Sequence, residues 1–557
     1  MKAKLRNSTV LVSLALIGSA SADIIYSNLQ NTAISTGWTG VTVNVNGGFI
    51  NPFFGGVGVA NDVLFQPARV GTDQLATILN LAVGTSISSS NGTLYFSTGA
   101  GGSQDHLGSS FTAGTEGYIG FNANGDYGWM RVIFTNNTGG AMIEDWAYDN
   151  SGSGGSIVVG RVQESVVDAT HNLVTLSPAS SEAFTLGSVL ADKGSGVTNS
   201  VIKTGAGTTT LSGTNTYAGL TTVSVGTLKA GSASAFGTTA EGTSVTSGAV
   251  LDLNGQSIGA EAVTLNGTGL SSGGALVNSS GTAASLSGAV TLGSASSIGG
   301  SGNMTLSGGI SGAHNLTKVG GDTVTLSGSN TYTGITTISG GTLALGPIGT
   351  IANTPLIKVQ SGANLNVSAV TGGWAVQGSS SSSRQTLSGS GAVIGATTIG
   401  TNGTQNAGDA RVGTQTFSSS LTYASGSIFE WDLDRTQTQT RGTGYDAVNV
   451  GGTLGGTAAI FRIVTGDTAY TQDFWSQTHT WSNIFDFASI TTNLASIFNG
   501  GFDYATSPAG QGAFTWQTNT LQWTPQSGAT FVPEPSSALA GLLLAAGLLR
   551  RRRTGAS

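Results

Sequence analysis

Lys203–Leu228 reads KTGAGTTTLSGTNTYAGLTTVSVGTL, and Lys318–Leu343 reads KVGGDTVTLSGSNTYTGITTISGGTL. The two stretches align without a gap at a constant offset of 115 residues, so Leu211 maps to Leu326, Asn215 to Asn330, Tyr217 to Tyr332 and Gly219 to Gly334. An ungapped internal match of this kind marks a repeat architecture. Within each unit, runs such as Thr208–Leu211 and Leu220–Val225 are interrupted by glycine. Thr and Val have restricted rotamers that suit a pleated surface, and glycine supplies the turns. The runs are too short for amphipathic helices.

Looser copies keep the same beat between and around these units. They include Leu251-Asp252-Leu253-Asn254-Gly255, Val263-Thr264-Leu265-Asn266-Gly267, Val290-Thr291-Leu292-Gly293 and Met304-Thr305-Leu306-Ser307-Gly308. Apolar and polar residues alternate, so each strand buries one face. Stacking successive coils would merge those faces into one core. With roughly 20 residues per coil, residues 200–370 would give about eight coils, a rod on the order of 40 Å.

The shared pattern K-x-G-x-x-T-x-T-L-S-G-x-N-T-Y-x-G-[LI]-T-T-[VI]-S-x-G-T-L resembles the autotransporter-associated β-strand repeat, also called the passenger-associated transport repeat. The resemblance implies an exported or surface passenger built as a right-handed parallel β-helix, without naming an activity. No outer-membrane barrel follows the repeats, so self-transport through a fused pore is not expected.

Composition narrows the class. Glycine supplies 88 of 557 residues and only 8% of residues are charged, which by itself would suggest disorder; the regular β-branched runs argue otherwise. Three of the 20 basic residues precede residue 23 and four form Arg550–Arg553. Residues 23–531 therefore hold 13 basic against 26 acidic residues, a net charge of −13. That balance disfavours nucleic acid and anionic membrane surfaces. The chain has no cysteine, hence no disulfide framework and no thiolate site.

Residues 1–22 read as a signal peptide. Lys2, Lys4 and Arg6 precede an apolar run from Val10 to Ile17, and Ala20-Ser21-Ala22 offers a small-residue cleavage site before Asp23. Residues 23–165 form an N-terminal β-domain with the runs Tyr118–Phe121, Tyr127–Phe134, Ile143–Asp149 and Ile157–Gly160. The order Y-I-G-F, Y-G-W-M-R-V, D-W-A-Y, I-V-V-G resembles an N-terminal β-domain found on bacterial proteins that carry the sorting tail described below. It is read as an antiparallel sandwich. Trp129, Trp146 and Tyr148 could offer a sugar-stacking platform, but their apolar context favours core packing.

Residues 166–200 read as a linker or solenoid cap, and residues 201–378 as the β-solenoid. Ser379–Ser383 is a low-complexity break with the composition of a flexible joint. Residues 384–526 form a C-terminal β-rich region that holds five of the nine tryptophans, Trp431, Trp475, Trp481, Trp516 and Trp523. This region is similar to the segment that closes many such repeat proteins, and it is read as a cap over the open solenoid end.

Candidate chemistry is sparse. Glu430, Asp432, Asp434 and Asp446 are the densest acidic group. Strand alternation places Glu430, Asp432 and Asp434 on one face, opposite Trp431 and Leu433. That face could bind Ca²⁺ or hold a glycosidase pair, and a plain solvated strand face predicts the same pattern. His106, His171, His314 and His479 are scattered without metal or catalytic spacing, and no catalytic, cofactor-binding or metal residue is assigned.

The tail carries the most specific signal. Val532-Pro533-Glu534-Pro535 is followed by the apolar run Ala538–Leu549 and then by Arg550, Arg551, Arg552 and Arg553. The sorting segment spans 532–553, with an apolar transmembrane helix at 538–549 and a basic clamp at 550–553. Twelve apolar residues are short for a stable span, which suits a temporary anchor. The arrangement closely resembles the PEP-CTERM sorting signal. That resemblance implies processing by an exosortase, a membrane-bound cysteine protease-transpeptidase, after transient inner-membrane anchoring. It also implies release to the cell surface or extracellular matrix, often beside exopolysaccharide.

The expected fold class is therefore all-β. A right-handed parallel β-helix is flanked by an N-terminal β-sandwich-like domain and a C-terminal β-rich cap, with a short C-terminal transmembrane helix. The expected role is non-enzymatic adhesion or biofilm structure; the alternative is a glycan-binding or polysaccharide-cleaving β-helix.

Overall fold

The computed structural model describes residues 23–526, except 28–29, 31, 35–41, 54–57, 62–64, 70–77, 89–93, 97–102, 107–110, 113–114, 135–140, 151–155, 195, 409–411, 435–439, 466–471 and 505–511. The described chain is almost wholly β. It divides into two compact units. The first takes the residues up to Leu190 together with Gly205–Gly213, and the second takes Ala191–Thr204 and the chain from Thr214 onward.

The first unit is built on an antiparallel meander. Glu116–Ala123 pairs with Asp126–Phe134, which pairs with Ala141–Asp149. Phe65–Arg69 adds antiparallel to Glu116–Ala123, and Asp23–Tyr26 and Thr32–Ile34 add to Ala141–Asp149. The turn between the first two meander strands is tight because Asn124 and Gly125 both take positive φ, 53° and 97°. A second antiparallel sheet comprises Val43–Val45, Gly48–Phe53, Gly58–Asn61 and Ser103–His106. Val43, Val45 and Ile50 from this sheet share one core with Ile119, Phe121, Met130, Val132 and Ile143 from the meander. Two sheets around one apolar layer is the sandwich arrangement expected from the alternation. Within residues 166–200, read as a linker or solenoid cap, lie His171–Leu176 and Ala183–Leu186, and the latter pairs in parallel with Thr208–Leu211 of the first repeat.

The second unit is a parallel coil. Leu316–Lys318, Thr336–Ile338, Leu356–Val359, Gln385–Ser388 and Gly403–Asn406 pair in parallel, each with the next. Ala284–Leu286, Met304–Leu306, Thr323–Leu326, Thr342–Leu345 and Asn364–Asn366 form a second such ladder. The step is set by the pairing: Met304 lies beside Val324 and Leu316 beside Thr336, twenty residues on in each case. Along Thr323–Leu326, Val324 and Leu326 are fully buried while Thr323 and Thr325 are half-buried. The Leu-in, Thr-out alternation therefore produces a continuous apolar interior. Fully burying each Leu or Val contributes about 1.5–3 kcal/mol against conformational entropy.

Two expectations are corrected. The serine run is not a loose joint. Ser380 bridges Ser383 in a closed turn, and strands on either side of it, Leu356–Val359 and Gln385–Ser388, pair directly. The turn simply carries the chain from one coil to the next. The parallel ladder also continues past residue 378, through Ile428–Leu433 and Ile460–Thr465 to Phe502–Tyr504. Only then does the topology change, to the antiparallel sheet of His479–Trp481, Gly512–Gln517 and Thr520–Pro525. Its rings pack onto the last coils: Trp516 and Phe461 centroids lie 5.2 Å apart, Trp481 and Trp431 5.3 Å. Trp523 is fully buried and donates Nε1–H to the Trp475 carbonyl at 2.9 Å.

As for the expected transmembrane helix, no helix among the described residues is long and apolar enough to cross a membrane. Residues 538–549 lie outside the described residues.

Candidate functional site

The repeat residues do structural work that the alignment alone did not reveal. In the second copy Asn330 is buried; its Nδ2 donates to the Thr350 carbonyl at 3.0 Å and its Oδ1 accepts from Ile310 N–H at 2.9 Å. In the first copy Asn215 Nδ2 donates to the Ala235 carbonyl at 2.7 Å. Each asparagine thus bonds a carbonyl twenty residues further on and ties coil to coil. Tyr217 and Tyr332 are buried, and their hydroxyls lie 2.7 Å from Thr221 Oγ1 and Thr336 Oγ1. Gly334 is obligatory because a Cβ there would lie 2.1 Å from the His314 carbonyl oxygen.

The opening lysine of the motif is fully buried in both copies. Lys318 Nζ donates to Asp322 Oδ1 at 2.6 Å and to the carbonyls of Val319, Gly320 and Gly340 at 2.9, 3.1 and 3.3 Å. In the first copy Gly207 stands where the second has Asp322. Lys203 Nζ donates to the Val225 carbonyl at 3.0 Å, and burial pulls its pKa down from 10.5 to about 8.

The acidic group is rearranged relative to the simple alternation. Asp432 is 9% exposed and Asp446 is fully buried, so neither lies on a solvated face. Asp446 Oδ2 accepts from Asp432 N–H at 3.0 Å and its Oδ1 from Gly413 N–H at 2.8 Å. Asn406 Nδ2 donates to Glu430 Oε1 at 3.0 Å and to Asp432 Oδ2 at 3.2 Å. Glu430 also sits 3.7 Å from Arg462, whose Nε donates to Asp503 at 2.8 Å. Burial raises Asp432 to about 6 and Asp446 well above the carboxylate range. Carboxylates committed to backbone amides and a shared asparagine brace the strand ends; the geometry is not that of a free acid–base pair. Among the described residues, no group of three or more His, Cys, Asp or Glu side chains is placed to hold a metal ion.

In the first unit, sequence reasoning missed a buried polar network. Arg131 forks onto Asp145, with Nε–Oδ1 2.9 Å and Nη2–Oδ2 2.7 Å, and bonds the Glu164 carbonyl. Tyr26 donates its hydroxyl to Asp145 at 2.6 Å, and burial keeps that phenol protonated. Glu116 and Glu144 lie 3.2 and 3.1 Å from the guanidinium. Asn172 Nδ2 donates to Glu164 Oε1 at 3.1 Å. Trp129, one of the three aromatics weighed as a sugar platform, is 1% exposed and packs edge-on to Tyr118 at 5.7 Å. Trp146 and Tyr148 are half-buried against the sandwich core. Core packing accounts for all three.

The remaining sequence-assigned residues are not brought together here. Ala20, Ala22, Val532, Pro533, Glu534, Pro535 and Arg550–Arg553 lie outside the described residues; Asp23 opens the strand Asp23–Tyr26.

Residues 201–230 and 316–345 match the family model described as passenger-associated-transport-repeat. Both segments of the chain are therefore passenger-type β-repeats, of the kind associated with secreted or surface-exposed proteins. The match brackets the lysine and asparagine positions whose bonds tie the coils. No curated protein matches the chain.

Proposed function

We propose that this chain is an exported, non-enzymatic protein of the cell surface or extracellular matrix. Its parallel coil serves as a passenger-type scaffold with an adhesive or biofilm-building role. The observation that carries the reading is the second repeat. It matches the passenger family over residues 316–345, and its buried lysine, asparagine and tyrosine are spent on bonds within a coil and between coils rather than on a reactive centre. The sequence at both ends supports the route. A signal peptide before Asp23 directs export, and the V-P-E-P tail with its arginine cluster is the substrate of an exosortase-type enzyme that releases the protein from a transient inner-membrane anchor.

Mass spectrometry of the protein from cell-surface and medium fractions tests this, together with protease shaving of intact cells. A mature N-terminus at Asp23, loss of Arg550–Arg553 and digestion by external protease are expected. Protein confined to cytosol with both ends uncut would overturn the reading.

A further inference from the structure

The late coils carry one feature the scaffold role does not use. Thr414–Phe417, Ala447–Gly456 and Phe485–Ile490 pair in parallel, and Thr416, Asn449 and Asp486 fall in one row across them. A shallow, open concavity of about 370 Å³ lies over that row. The pairing shifts register between Val450 and Thr453. Gly451 and Gly452 occupy the shift and press close to the preceding coil; a Cβ on Gly451 would lie 2.9 Å from the Ser418 carbonyl oxygen. Gly451 thus contributes bare backbone to the lining of the hollow.

The polar groups around it are complementary to a neutral polyol. Asp486 is exposed, and its carboxylate is not drawn into an ion pair among the described residues. Asn449 Oδ1 accepts from Arg441 Nη2 at 2.6 Å, which leaves the Asn449 amide N–H₂ as a donor. The guanidinium also donates to the carbonyls of Asn483 through Nε and Val448 through Nη2, at 2.6 and 3.1 Å. Thr416 adds a hydroxyl on the same face, while Phe487, paired with the buried Val450, turns to the opposite face of the strand. A single carboxylate beside an arginine-bound amide is a poor cation site, because hard cations take six or more oxygen ligands. An anion would meet Asp486. Vicinal hydroxyls fit: they donate to a carboxylate and accept from an amide.

We infer that this hollow is a binding subsite for one hexose unit of a neutral glycan, centred on Asp486 and Asn449. The inference rests on the surface role above, and its test is independent of location. The full purified chain is titrated with methyl glucoside, methyl galactoside and methyl mannoside, using saturation-transfer NMR and calorimetry. At least one is expected to bind with a Kd on the order of millimolar. Asp486→Ala should weaken it by about tenfold or more, while Ser489→Ala, on the same strand but outside the hollow, should leave it unchanged. A folded wild-type chain that binds none of the three at tens of millimolar, by the same scale, or binding that Asp486→Ala leaves intact, overturns the subsite. The surface reading is judged separately by cell shaving.

Discussion

Removing the carboxylate of Asp322 should expose how the repeat houses its buried lysine. Lys318 and Asp322 are both fully buried at the side chain, and the pair is the second repeat's departure from the first. In Asp322→Ala the ammonium keeps three carbonyl acceptors and loses its counter-charge. Breaking a buried pair by removing one partner costs about 3–5 kcal/mol. The first repeat offers an independent scale. Lys203, with glycine at the equivalent position, sits at about 8 against 10.5 for an ordinary lysine. A lysine so placed costs about 3 kcal/mol at neutral pH, at about 1.4 kcal/mol per pH unit of depression. The two routes agree. Because the folded pKa is depressed, the unfolded chain binds more protons between about 8 and 10.5, and stability should rise with pH across that window. Guanidinium unfolding followed by far-UV circular dichroism should show Asp322→Ala about 3 kcal/mol less stable at pH 7, with most of the loss recovered at pH 10.5. Lys318→Met with Asp322→Ala should return to within about 1 kcal/mol of the parent at pH 7. A loss below about 1 kcal/mol, or one of equal size at both pH values, would refute the reasoning.

Two further changes test other parts of the coil. Glu261 is 3% exposed and accepts from Thr243 Oγ1 at 2.7 Å, and burial lifts it from 4.5 to about 7. The folded state therefore holds its proton more tightly. Its stability should be greatest below pH 4.5 and fall as pH rises to about 7. Glu261→Gln should flatten that part of a thermal-melt pH profile, and an unchanged slope would assign the effect elsewhere. Tyr332→Phe removes one hydroxyl bond to Thr336 and should cost about 1 kcal/mol in denaturant titration, without altering the m-value.

The sequence made the coil legible because its signal is local. Leu211 and Leu326 recur at the same motif position, each with glycine two residues on, and a step of roughly twenty residues follows from counting turns. The motif's lysine and asparagine could be aligned but not explained, since they reach partners one coil away; Asn215 reaches Ala235 and Lys203 reaches Val225. The first unit's network was harder still. Tyr26 and Asp145 are 119 residues apart and meet only because Asp23–Tyr26 closes antiparallel on Ala141–Asp149. Alternation correctly put Trp431 inside, yet it misplaced Asp432. Asp446 bonds the Asp432 backbone from a turn whose return path no period encodes. The hollow at Asp486 was equally invisible, because it depends on a register shift at two glycines among 88.

The coil-by-coil pairing, twenty residues per step beside the second repeat and longer in later coils, also constrains how this gene can change length. Each coil bonds to the one before and the one after, so an in-frame duplication of one full step would dock onto its neighbours with side chains facing as before. An odd-numbered insertion inside a strand would instead turn the downstream leucines of that strand outward and its threonines inward. Slippage and recombination between the two aligned copies can thus yield longer or shorter siblings of this protein, but viable ones only in whole-coil increments.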